Sequence, residues 1–312
     1  MTQNSSGESK SDKQTESAQK TPDRRVDEKL KLETKMAKIK HKIAVISGKG
    51  GVGKSTVTVN LAMAFATHGY VNSVGILDAD ITGPCVPKIL GIKGQKLQTA
   101  THGISPAIGP LGIRVVSMDF LLPSDETPVI WRGPLKMKAI QQFLSDITWG
   151  DLDFLFIDLP PGTGDEPLSI MQLLPNMDGV VIVTIPSEVS QIVVKKAVTF
   201  ARRMNVPIIG IIENMSGFVC PKCGEKVDIF RAGGGEKIAE DLKIPFLGKI
   251  PIDPDICKDS DKGSPFIIEH PKSQASKVFM KFVGKVEEFL EKKAKLEKAL
   301  TANVKEEEEV KK

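Results

Sequence analysis

The chain has 312 residues, 40% of them apolar, with 43 lysines and arginines against 39 aspartates and glutamates for a net charge of +4. Residues 1–42 hold 11 of the basic and 7 of the acidic side chains, so residues 43–312 carry 32 of each sign, a balance that argues against a nucleic-acid-binding surface. No run of about 18 apolar residues is present to span a membrane, and the N-terminus lacks the apolar core of a signal peptide, so a protein of the cytoplasm without nucleic-acid or membrane partners is expected.

Residues 1–41 are polar and aperiodic at first, too poor in apolar side chains to offset the entropy of folding, and are expected to form a disordered arm. From Val26 to Lys42 dense charges surround a few apolar residues, which fits either a short exposed helix or no structure. Residues 42–275 read as one α/β domain. Ile43–Ile46 is an apolar β-branched run, and Gly48-Lys49-Gly50-Gly51-Val52-Gly53-Lys54-Ser55-Thr56 then opens a segment with helical periodicity. Strand, glycine loop and helix are the context of a G-x-x-x-x-G-K-[ST] phosphate loop. Its backbone N–H groups and helix N-terminus suit a triphosphate. Lys54 is positioned for the β and γ phosphates, Ser55 for Mg²⁺ and Thr56 for the α-phosphate.

A second buried strand, Val74–Leu77, runs into Asp78-Ala79-Asp80, where open α/β sheets bind ligands. Residues 91–112 suggest an irregular excursion with a small hairpin, Ile113–Met118 a strand, and Pro134 the start of a helix. Asp153–Asp158 is an apolar strand closed by a carboxylate, the pattern of a Walker B. Asp158 would hold Mg²⁺ through water, and the Pro-Pro-Gly-Thr-Gly turn that follows would bring a backbone N–H near the γ-phosphate. Gly179–Ile185 and Pro207–Ile212 are further buried strands flanking a helix at Ser187–Arg203. Glycines 233–235 open another helix, and Phe246–Ile250 is the last strand. An amphipathic helix is expected over 276–300, and a charged, solvated tail over 301–312.

Cys220-Pro-Lys-Cys223-Gly is a knuckle that aims two sulfurs to one side, and it supplies half a coordination sphere. Cys85 and Cys257 stand alone, and His41, His68, His102 and His270 are scattered. A two-fold dimer would complete the site by bringing Cys220 and Cys223 of both protomers to one centre. An iron–sulfur cluster, a shared zinc and an uncoordinated dithiol all satisfy the pattern.

The phosphate loop with its extra Lys49 resembles the deviant Walker A of the MinD/ParA/nitrogenase-iron-protein class. Together with Asp78-Ala79-Asp80, PPGTGD, IENMSGF, CPKCG and FRAGGGEKIAEDLKIPFLGKIPID, the chain from Lys42 to His270 resembles the Mrp/ApbC family of ATP-binding iron–sulfur cluster carriers. The resemblance implies a P-loop fold with a mostly parallel sheet and helices on both faces. It implies a homodimer in which Lys49 crosses to the other subunit's nucleotide, Asp80 orients the attacking water and Asn214 reads the adenine edge. It further implies ATP and Mg²⁺ as cofactors, slow hydrolysis, and a [4Fe-4S] cluster bridged by Cys220 and Cys223 for transfer to apoproteins. Residues 1–42 contain no cysteine, so the N-terminal four-cysteine cluster of some relatives is not expected, and Cys85 stands where relatives often have serine. The alternatives are a positioning ATPase acting on membrane or chromosome through the C-terminal helix, and a zinc-stapled dimeric ATPase.

Overall fold

The structure, a computed structural model, describes residues 21–100, 103–122, 131, 133–220, 222–230 and 232–310. In chain order, α1 (Thr21–Met36) leads into β1 (Ile39–Ser47), and α2 (Lys54–His68) follows the phosphate loop. Next come β2 (Val74–Asp78), α3 (Val86–Ile89), a small hairpin of β3 (Gln98–Ala100) and β4 (Gly103–Ser105), then β5 (Ala107–Ile108) and β6 (Arg114–Ser117). The middle of the chain holds α4 (Gly133–Ser145), β7 (Leu152–Asp158), α5 (Asp165–Leu173), β8 (Gly179–Thr184), α6 (Glu188–Arg203) and β9 (Ile208–Glu213). A short antiparallel pair, β10 (Phe218–Val219) and β11 (Lys226–Val227), precedes α7 (Gly234–Leu242), β12 (Phe246–Lys249), α8 (Pro254–Lys262), α9 (Phe266–Glu269) and α10 (Gln274–Val310).

One sheet organises these elements in the order β12-β9-β8-β1-β7-β2-β6-β5, every pairing parallel except the edge strand β5. Parallel strands need helical crossovers and are covered on both faces, which is why their sequences are continuous apolar runs: all six residues of β8 are buried. One face packs α2 and α10 around Phe65, Phe156, Phe279 and Phe282. The other packs α1, α4, α6 and α7 around Trp149, Ile140 and Val198. Register aligns the carboxyl ends: Asp158 pairs with Val45 on one side and Asp78 on the other, and Asp78 pairs with Ser117. The carboxyl-terminal ends of β1 and β7, neighbours in the sheet though far apart in the chain, thus converge beside the phosphate loop, at the crevice where such sheets take ligands.

The structure departs from expectation at both ends. Residues 21–41 are not a disordered arm: α1 is helical, and Leu32 and Met36, one helical turn apart, are buried against the α4 side of the sheet. Lys31 pairs with Asp146 at 2.6 Å, and Lys35 donates to the Ile147 carbonyl at 2.9 Å, so two apolar anchors and two long cations fix a segment that is otherwise polar. Residues 1–20 lie outside the described residues. At the other end, the expected tail at 301–312 is helical as far as Val310, since Lys, Glu and Ala are strong helix formers and the helix continues without a breaker. The first turns of α10 bury Phe279, Phe282, Val283, Val286 and Leu290, each worth roughly 1.5–3 kcal/mol, whereas Leu296 and Leu300 are exposed. No described helix is long and apolar enough to cross a membrane.

Candidate nucleotide and thiol site

Two glycines of the loop are required by their surroundings. Gly53 caps α2 at φ 78°, and a Cβ there would lie 2.3 Å from Nδ2 of Asn214. A Cβ on Gly48 would lie 2.6 Å from the Val193 carbonyl oxygen of α6, so this glycine lets the loop pass under that helix. Val52 is buried, and its carbonyl accepts the Asn214 amide at 2.9 Å.

The start of α2 converges on Asp158, which is fully buried. Lys54 Nζ is 2.7 Å from Oδ1, Ser55 Oγ donates to Oδ2 at 2.5 Å, and Thr58 Oγ1 lies 2.8 Å from Oδ1. Thr58 was not legible as a site residue; its only signal is its place one helical turn beyond Lys54, on the face turned to the sheet. The two acids after β2 play different parts. Asp78 is fully buried, and its Oδ2 accepts the Ser117 hydroxyl at 3.0 Å and the Val86 N–H at 3.3 Å. Burial, then the charge of Asp158, pushes its carboxyl up to about 8, against the pull of Lys54 and Ser117. Asp78 therefore anchors α3 from a site where burial favours its neutral form. Asp80 turns into the cleft instead, held by the Gly83 N–H at 3.2 Å and the Thr82 hydroxyl at 3.0 Å.

The cleft over the loop has a volume of about 730 Å³, within the range of small-molecule sites. Lys49, Gly50, Gly51, Gly53, Lys54, Ser55, Thr56 and Asn214 line it, as does Asp80; Gly48, Val52 and Asp158 lie behind it. Lys49 is half-buried at its mouth, its carbonyl held by the Ser47 hydroxyl at 2.9 Å. Gly162 of the turn after β7 donates to the Ser47 carbonyl at 2.9 Å, which ties that turn to the loop. The far wall includes Met215, Phe230, Ile252 and Pro254, none of them read as site residues from sequence.

Cys220 and Cys223 cap the β10–β11 hairpin. The Cys220 N–H donates to the Glu225 carbonyl at 2.9 Å and the Gly224 N–H to the Cys220 carbonyl at 2.8 Å, so the turn is closed by its own backbone. Cys220 is half-buried and Cys223 exposed. Backbone N–H groups of Cys223 and Lys222, then the Cys223 thiol, hold the Cys220 thiol below the usual range, which favours the thiolate that binds soft metals. Among the described residues no three or more His, Cys, Asp or Glu side chains gather into a group able to hold a metal ion, so this chain offers two sulfurs at one place. The other two cysteines do not join them. Cys85 donates to the Gly83 carbonyl at 3.1 Å, with burial and the acids Asp78, Asp158 and Asp80 pushing its thiol up, and Cys257 is exposed on α8. His41, His68 and His270 sit beside Asp178, Glu287 and Asp259 respectively, and His102 lies outside the described residues.

Residues 38–287 match a family model described as ParA, NUBPL iron-transfer P-loop NTPase. A protein of Saccharolobus solfataricus named iron-sulfur cluster carrier protein is 56% identical over 262 residues, covering 84% of this chain and 88% of the relative. One of the same name from Methanocaldococcus jannaschii is 55% identical over 263 residues, 84% of this chain and 89% of the relative. Among solved structures, a nucleotide-binding protein from Archaeoglobus fulgidus in complex with ADP matches with a TM-score of 0.68 and 43% identity, over 76% of this chain and 92% of that one. The cell division ATPase MinD of Pyrococcus furiosus matches with a TM-score of 0.58 and 22% identity, over 80% of this chain and 98% of that one, a likeness of fold.

Proposed function

This chain belongs to the ParA-type family of NUBPL iron-transfer P-loop NTPases, the Mrp/ApbC carriers, and from that membership we propose how its residues divide the work of an ATP-dependent iron–sulfur cluster carrier. The cargo is a [4Fe-4S] cluster held by Cys220 and Cys223 of two protomers and passed on to apoproteins. The single observation that carries this reading is the placement of two thiols, one of them inclined to the thiolate, on a hairpin whose flanking residues Met215 and Phe230 line the nucleotide cleft.

In the cleft, the loop N–H groups and Lys54 bind the triphosphate. Ser55 and Asp158 would hold Mg²⁺, which would offset the charge of the β and γ phosphates, an assignment supported by their mutual hydrogen bond at 2.5 Å. Because Lys54 and Ser55 both rest on Asp158 beforehand, binding exchanges partners within a pre-arranged set rather than building one. Asp80 orients the attacking water from the cleft wall, and Lys49, at the mouth, reaches the nucleotide of the second protomer. Asn214 spends its amide N–H on Val52, which leaves its side-chain oxygen to accept from the adenine amino group. The domain division follows: residues 42–275 form the ATPase with α1 packed on its flank, and the distal part of α10 stands clear of it. The positioning-ATPase alternative loses its main support, because the apolar face of α10 that suggested a membrane contact is spent on the core.

The test is anaerobic reconstitution of the full chain with iron and sulfide, alongside Cys220→Ser. The wild type is expected to gain iron, acid-labile sulfide and a visible absorption band. Cys220→Ser is expected to lose all three while binding ATP as before. A wild type that takes up only zinc would favour the stapled-ATPase alternative, and full cluster loading of Cys220→Ser would refute the assignment.

A further inference from the structure

Glu213 ends β9 and is fully buried, yet it belongs to no part of the nucleotide or thiol chemistry above. Its Oε1 accepts from the Ser216 hydroxyl and, at 3.0 Å, from the Gly233 N–H; its Oε2 accepts from the Gly235 N–H. Ser216 stands at the root of the outgoing strand of the cysteine hairpin. Gly233 and Gly235 stand at the root of the returning side, where α7 begins. One carboxylate therefore closes the base of the segment that carries Cys220 and Cys223, and it does so at a helix N-terminus, where a negative charge is favoured.

The adjacent residue holds the phosphate loop. Asn214 donates its side-chain amide to the Val52 carbonyl at 2.9 Å and its backbone N–H to the Thr184 carbonyl at 2.7 Å. Met215 comes next with φ 55°, a left-handed backbone that a non-glycine residue rarely adopts, and its side chain faces the cleft. Phe230, on the returning side of the hairpin, lines the same cleft. A nucleotide in the cleft thus meets both ends of the segment that Glu213 ties shut.

We propose that Glu213 is a positioning residue that passes the state of the nucleotide cleft to Cys220 and Cys223, an inference that rests on reading those cysteines as the cargo site. Hydrogen bonds from three donors to a buried carboxylate are stiff, because the carboxylate, fully buried, has no water to fall back on. A shift at Asn214 or Met215 is then handed to Ser216 and Gly233 together, and the hairpin moves as a unit. The other holds of the hairpin on the body of the protein that the described residues show lie on its outgoing side, in the Phe218–Ile252 bridge and the Ile252 N–H bond to the Gly217 carbonyl at 2.8 Å.

The test compares wild type, Glu213→Gln and Ser216→Ala as full-length, metal-free, anaerobic chains. Alkylation of the Cys220–Cys223 peptide by iodoacetamide is followed by mass spectrometry with and without a non-hydrolysable ATP analogue. Nucleotide affinity and thermal midpoint are measured in parallel. In the wild type, nucleotide is expected to change the alkylation rate by about fivefold or more, the lower range of site-to-site coupling. Glutamine keeps one acceptor but turns an NH₂ toward a backbone N–H, so Glu213→Gln is expected to bind the analogue as the wild type does while the rate ratio falls to unity. Ser216→Ala, which leaves the carboxylate two donors, is expected to lose part of the ratio and serves if the glutamine variant fails to fold. A purely structural role would lower the thermal midpoint and leave the ratio intact. An unchanged ratio in either folded variant, or a wild-type ratio of unity, overturns the proposal. A chain whose thiols respond to nucleotide but take up no iron would instead contradict the cargo reading and leave the relay standing.

Discussion

Lys54 and Asp158 form a 2.7 Å ion pair in which the acid is fully buried and the lysine only 6% exposed. The cation read as phosphate-binding and the carboxylate read as metal-holding thus neutralise each other before any nucleotide arrives. Removing the cation strands a buried anion next to Asp78. Lys54→Met is therefore expected to abolish ATP binding and to cost the nucleotide-free protein about 3 kcal/mol in urea unfolding at pH 7. An unaltered urea midpoint would show that the pair carries no weight in the fold.

Asp78 makes the nucleotide-free protein sensitive to base. Burial and the Asp158 charge raise its folded carboxyl to about 8, above its unfolded value, so the folded state binds the proton more tightly. This contribution is fully present below the ordinary carboxylate range and is lost as pH rises through the folded value. Asp78→Asn, an isostere of the protonated form, is expected to be more stable than the wild type at pH 8 and no more stable at pH 4. Parallel unfolding curves at the two pH values would contradict this.

Asp178 acts in the opposite direction at the other end of the sheet. Burial raises its carboxyl, but His41, Lys293 at 2.9 Å and the Lys42 N–H prevail and hold it at about 2. A depressed carboxyl stabilises above its unfolded value and loses that contribution as pH falls through the folded one. Asp178→Asn is expected to cost roughly 2 kcal/mol at pH 7 and almost nothing at pH 2, read from urea midpoints across that range.

The two parts of α10 are expected to behave unlike one another. Phe282 is buried beneath β12 at Gly248, so Phe282→Ala should cost about 3–4 kcal/mol. Truncation after Lys293 keeps the Asp178 pair and removes exposed Leu296 and Leu300, and the thermal midpoint should stay where it was. A large loss on truncation would show that the distal helix has a partner within the fold.

The parallel strands and the phosphate loop were legible because each is written locally, as a continuous apolar run or as adjacent residues with one shared demand. α1 was legible only as one of two readings, a short exposed helix or no structure, since Leu32 and Met36 are two anchors in sixteen polar-rich residues and only the groove beside α4 makes them matter. Asp78 and Asp80 look alike in sequence; they part because Asp78 still lies in the strand, paired in register with Asp158, while Asp80 has left the sheet and turned into the cleft. Glu213 lay just past the expected strand Pro207–Ile212 with no signal of its own, because its donors Gly233 and Gly235 come about twenty residues later and the hairpin between them must fold before they meet.

The claim on which the account turns is that each chain brings half a coordination sphere. Light scattering of the anaerobically reconstituted protein, combined with iron analysis of the same peak, tests it most directly. The account predicts a dimer carrying about two irons and two sulfides per chain, reverting to metal-free chains when Cys220 and Cys223 are both changed to serine. A monomer that keeps its iron, or a dimer equally loaded without those thiols, would contradict it.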